Sequence, residues 1–118
     1  MKNRWKDVTT TVNLTPHEVS IMVGDTIKRI PPSGKVVRVN SQCEPCGLLN
    51  GIPVVHCTEG IVRGLPDEEQ GTVYIVSSVV AKAVNRKDIL CPDTSDEGVI
   101  RDGNRFIVAV KRLQCFYY

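Results

Sequence analysis

Residues 71–94, GTVYIVSSVVAKAVNRKDILCPDT, constrain the fold more than any other stretch, because they contain the longest apolar run and the one convincing helix. Val73–Val76 is β-branched and aromatic and follows a glycine, which predicts a buried strand. Ser77 or Ser78 is an N-cap candidate whose side-chain oxygen accepts a free backbone N–H. A short helix is expected over 77–86, with Val79, Val80, Ala83 and Val84 on its apolar face. Two or three turns do not persist alone, so this helix needs a sheet to pack on. Ile89–Cys91 then starts a second apolar run that Pro92 stops.

Around this centre, alternation predicts more strands. Val19, Ile21 and Val23 alternate with Ser20 and Met22. Gly24-Asp25 is a tight-hairpin loop, and Thr26–Ile30 is the return strand. Short strands are also expected at 12–14, 36–39, 51–57 and 60–63. Residues 40–50 read as the least regular part, and 64–70 as an acidic, solvated loop. Val99–Arg101 and Arg105–Leu113 flank Asp102-Gly103-Asn104 as a hairpin, its second strand apolar on both faces and so central to a sheet. The expected fold is mainly β (α+β): a compact antiparallel sheet or barrel-like domain of about eight short strands with one helix. At 118 residues this is one domain, 1–118, with 1–11 as a flexible N-terminal arm from which Trp5 docks on the body.

Charge excludes some partners. The formal net charge of +2 is too mild for DNA or RNA polymers, which are met by a clearly basic patch. No stretch approaches the ~20 apolar residues of a membrane helix, and the N-terminus lacks a signal-peptide core. A cytoplasmic, non-membrane protein is expected. The odd count of five cysteines fits reduced thiols rather than a secreted disulfide framework, with Cys91 and Cys115 as small core residues. Cys43-x-x-Cys46 followed by His56-Cys57 offers a weaker alternative, a structural zinc site. Adjacent residues on a strand face opposite ways, however, so its second half is poorly arranged. No other cofactor is expected, and a redox couple lacks its usual βαβ context.

No catalytic triad, Walker loop or G-x-G-x-x-G is present. The candidate ligand-binding residues are Arg86, Asp88, Asp93, Thr94, Arg101, Ser77 and His17, with Arg112 beside them. Arginine forks onto phosphate, whereas aspartate and threonine read ribose or base edges. An Arg–Asp network that only ties loops together has the same composition. Tyr74, Phe116, Tyr117 and Tyr118 can stack at a subunit boundary.

In order along the chain stand Val12-Asn13-Leu14-Thr15-Pro16-His17, Ile30-Pro31-Pro32-Ser33-Gly34, Gly51-Ile52-Pro53-Val54, Gly64-Leu65-Pro66, Tyr74-Ile75-Val76-Ser77, Pro92-Asp93-Thr94 and the last hairpin. This succession resembles a family of small phage and prophage proteins over roughly residues 12–113; Cys43–Cys46 lies outside its pattern. The resemblance implies a viral accessory protein and brings no activity with it. The expected function is a non-enzymatic, oligomeric binding protein that sequesters a small anionic, nucleotide-type immune signal. Its rivals are a protein–protein inhibitor of a host defence enzyme, and a small nucleotide or ester hydrolase using His17 and an aspartate.

Overall fold

The computed structural model describes residues 3–58 and 60–117. Its framework is a pair of four-stranded sheets joined through one strand, β8 (Thr72–Ile75). In the first sheet β8 lies between β1 (Thr10–Asn13) and β9 (Ile89–Pro92), parallel to both, and β12 (Leu113–Gln114) closes the β9 side antiparallel. Residues 73–76 are buried without interruption, as a strand covered on both faces must be. Ile75 packs with Val19, Ile21, Val99 and Val110. Tyr74 and Val76 enter a second cluster with Leu14, Val37, Val80, Ala81 and Ile89. The two cores therefore meet back to back across a single strand.

The second sheet has the order β10 (Val99–Arg101), β11 (Ile107–Val110), β2 (Val19–Val23), β3 (Thr26–Ile30). The β2–β3 hairpin turns at Gly24-Asp25 with in-register pairing from Val23↔Thr26 to Val19↔Ile30. β11 is interior to this sheet; both of its faces are buried at Ala109 and Val110, whereas its entry, Phe106, Ile107 and Val108, is exposed on both. Two further pairs complete the fold: β4 (Arg38–Val39) with β7 (Val62–Arg63), and β5 (Gln42–Leu49) with β6 (Ile52–Thr58). The architecture is mainly β, and the described residues form mixed sheets with no closed barrel, in which twelve strands replace the expected eight or so because several have only two residues.

The helix α1 (Ser78–Ala83) is shorter than the expected 77–86. Ser77 caps it, accepting from the Val80 N–H at 3.4 Å, and Val84 already has extended backbone. Its buried face is Val80 and Ala81, whereas Val79 and Ala83 are exposed, so the apolar face lies one position away from the expected one. The β-branched valines at 79, 80 and 84 favour extended backbone, and tertiary packing retains less than two full turns.

Residues 40–50 are not irregular. Asn50 (φ 49°) and Gly51 (φ 83°) form a two-residue turn with positive φ at both centres, which starts the β5–β6 pairing at Leu49↔Ile52, and the register shifts once between Pro45 and Gly47. Cys43 and Cys57 pair directly across this hairpin and are joined as a disulfide, with Cα atoms 4.0 Å apart. That corrects the expectation of reduced thiols for these two and uses two of the four zinc ligands. Among the described residues no group of three or more His, Cys, Asp or Glu side chains is arranged to hold a metal.

One buried amide joins the pieces. Asn13 is 1% exposed, and its Nδ2 donates to the carbonyls of His17 (2.8 Å) and Ile30 (3.0 Å). Its Oδ1 accepts from the Thr15 N–H (2.9 Å) and hydroxyl (2.7 Å). Its backbone carbonyl takes the Ser33 N–H. The motif 12–17 and the Pro-Pro turn 31–34 are thus one hydrogen-bonded corner. Removing the amide leaves buried donors and acceptors without partners, so Asn13→Ala is expected to cost about 3 kcal/mol. The measurement is the urea midpoint, with the slope of the transition unchanged.

Candidate functional site

The seven candidate binding residues do not form one site. Arg86 and Asp88 lie on the segment between α1 and β9 and form a bidentate pair, Nε–Oδ1 3.0 Å and Nη2–Oδ2 2.6 Å. The remaining guanidinium nitrogen donates to the Pro66 carbonyl at 2.8 Å. Glu68 stands 3.9 Å away. The Asp88 hydrogen bonds push the Arg86 pKa up, against the opposing effect of burial. Arg86 is therefore a brace that ties the acidic loop 64–70 to the β9 edge. Tyr74 does the same from below. Only 4% exposed, it donates its hydroxyl to the Asp67 carbonyl, and burial raises its pKa. It is a core residue and does not stack at a surface, contrary to the expectation for it.

Asp93 follows β9 and is fully buried. Its Oδ1 accepts from the Ser95 hydroxyl (2.6 Å) and N–H (3.0 Å), and its Oδ2 accepts from Arg112 Nε (2.6 Å). Gly98 packs directly on this carboxylate, where any Cβ would overlap it. Both oxygens are occupied within the chain, which gives Asp93 a structural task where ligand recognition was expected. The Ser95 and Arg112 hydrogen bonds hold its pKa down from 3.8 to about 2.

Thr94, Ser77 and His17 do come together. They line a cleft of about 320 Å³ with Thr15, Glu18 and Ser20. Arg101 is not part of this cleft and donates to the Arg105 carbonyl across its own hairpin loop. Of the cysteine–histidine set, Cys46 is exposed with its thiol toward the Val54 carbonyl, and His56 is in register with Glu44. Cys91 is buried as expected, whereas Cys115 is exposed and accepts from Arg4 Nη2 at 2.8 Å.

A larger cleft, about 700 Å³, lies where the N-terminal segment crosses the start of β8. Thr9 and Thr10 donate to the Gly71 carbonyl, which anchors that segment on the sheet. Arg4 stacks over Trp5, 5.0 Å from the ring centroid, and also donates to the Tyr117 carbonyl at 3.1 Å. Trp5 and Tyr117 thus stand with Arg4 and Lys87 around a floor that includes Gly71 and Thr72; Asp7, Glu68, Glu69 and Asp88 complete the wall. The volume falls in the range of ~300–1,000 Å³ that small-molecule sites occupy. Arg4, Lys87 and the partnership of Trp5 with Tyr117 are absent from the sequence-derived set. The single tryptophan beside an arginine in a polar leader was the available signal. Tyr118 lies outside the described residues.

No protein-family model, curated protein or solved structure matches this chain.

Two outcomes follow from the buried pairs. Arg86→Ala strands Asp88, whose side chain is 9% exposed, and should destabilise the fold by about 3 kcal/mol, with Asp88→Asn restoring part of the loss in chemical denaturation. The Asp93 pKa is depressed in the folded state, so its stabilising contribution is present above the ordinary value of 3.8 and is lost as pH falls through about 2. Asp93→Asn should lower the thermal midpoint at neutral pH and flatten its decline between those values.

Proposed function

We propose that the chain is a non-enzymatic binding protein that captures a small anionic, nucleotide-type ligand in the cleft between its N-terminal segment and the start of β8. One observation supports this reading above the others. Two aromatic side chains and two cations, Trp5, Tyr117, Arg4 and Lys87, share one concave surface of about 700 Å³. Aromatic faces stack a base, and guanidinium and ammonium groups meet phosphate. The surrounding carboxylates are hydrogen-bond acceptors suited to ribose hydroxyls. They also oppose a ligand that is only charge. A bare phosphate or polyphosphate is therefore a poor fit, and a ligand that alternates sugar and phosphate is a good one. Joined to the resemblance to phage proteins, this becomes sequestration of an ADP-ribose-like or cyclic nucleotide signal of host immunity.

The acidic loop 64–70 forms one wall, held by Arg86 and Tyr74, so Arg86 contributes to binding through position. Lys87 is exposed, makes no side-chain hydrogen bond or ion pair among the described residues, and is the cleaner test. Titration calorimetry with ADP-ribose is expected to show saturable binding. Lys87→Glu should weaken it at least tenfold, about 1.4 kcal/mol, with an unchanged thermal midpoint. The ligand should be recovered intact after denaturation. Equal binding by wild type and variant, or recovery of a cleaved product, contradicts the proposal.

A further inference from the structure

Among the described residues the β5–β6 hairpin joins no other strand. β5 pairs only with β6, and every residue of both strands is exposed. An isolated two-stranded hairpin is marginal in water, and here the Asn50-Gly51 turn and the Cys43–Cys57 disulfide reinforce it. An arm that is stiffened yet exposed along both strands is built to be placed against something.

Its two faces differ. Side chains alternate along β6, so Cys57, Val55 and Pro53 share one face. Their cross-strand partners are Cys43, Pro45 and Leu48, which makes that face a disulfide flanked by apolar groups, with no charged or amide side chain. The opposite face carries Glu44, His56 and Gln42 toward its base. Pro45 and Pro53 each lack an N–H, which discourages open-ended strand addition along the edges and leaves face-on docking. The body of the same chain has a matching uncovered surface at the entry to β11, where Phe106 is 70% and Val108 is 52% exposed.

Interface area selects between two arrangements. An eight-residue strand pair is roughly 26 Å long and about 10 Å wide. Two arms stacked face to face would bury only about 500 Å² in total, the size of a lattice contact. Each arm laid across the body of its partner doubles this to about 1,000 Å², the threshold of a specific interface. A two-fold exchange of arms also closes on itself. We infer that the apolar face of the β5–β6 arm docks on Phe106 and Val108 of a second copy of this chain, reciprocally, to form a dimer. The contact is independent of the ligand cleft, and its test uses protein without ligand.

Leu48 and Val55 are exposed in the single chain, so changing them leaves its core intact. Sedimentation equilibrium at high micromolar concentration is expected to give a dimer for the wild type. Leu48→Asp with Val55→Asp should give a monomer of unchanged circular dichroism. A photo-crosslinker on Cys46, placed in a Cys115→Ser background, should join isotope-labelled to unlabelled chains within residues 105–110. A monomeric wild type, a dimer that survives both substitutions, or intermolecular cross-links confined to other segments would overturn the inference.

Discussion

The Asn13 side chain is the interaction on which the rest of the structure depends. Its four hydrogen bonds run to both sides of the turn 13–17 and to the end of β3. The backbone of the same residue pairs with Ile75 on one side and holds Ser33 on the other. The first sheet, the second sheet and the Pro-Pro turn are therefore fixed to one another at a single buried amide. A buried amide with incomplete partners would be costly, and this one is complete. From the same corner the Leu14 carbonyl accepts the Val37 N–H, which brings Val37 into the core beside α1. The smaller cleft inherits its wall from this arrangement, since Thr15, His17 and Glu18 stand where the turn puts them.

Burial at β8 explains how much of the architecture was legible in the sequence. Val73–Val76 announces a covered strand by composition alone, and the alternation in β2 with its Gly24-Asp25 loop announces a hairpin. Both signals are local. Parallel pairing of β1 and β9 with β8 is set by long-range packing and leaves no local mark. The helix was visible but its length and face were not, because tertiary contacts at Val80 and Ala81 decide both in so short a segment. Half of the arm is legible as the strand at 51–57, and Asn50-Gly51 between apolar residues is a hairpin signal, but Pro45 and Gly47 break the alternation that would mark the other strand within 40–50.

Charge tells a similar story at the candidate site. Residues that bind ligands and residues that brace loops share one vocabulary, arginine with aspartate. Sequence spacing does not show that Asp93 is sealed beneath Gly98 with Arg112, or that Arg86 reaches back to Pro66. Both pairs are spent inside the chain, one on the loop after β9 and the other on the acidic loop 64–70. Lys87, the neighbour of both Arg86 and Asp88, is directed to the large cleft, while Ser77, His17 and Thr94 gather at a different one. The N-terminal segment, expected to be a flexible arm, supplies Arg4 and Trp5 to the large cleft. Folding the two ends of the chain together creates a surface that neither end has alone.

The most direct measurement is an amide and indole chemical-shift titration of the protein with ADP-ribose. Capture in the large cleft predicts saturable shifts at the Trp5 indole and at Gly71, Thr72, Lys87 and Asp88, with Thr15, His17, Ser77 and Thr94 unmoved. Shifts confined to that second group, or none at all, would contradict it.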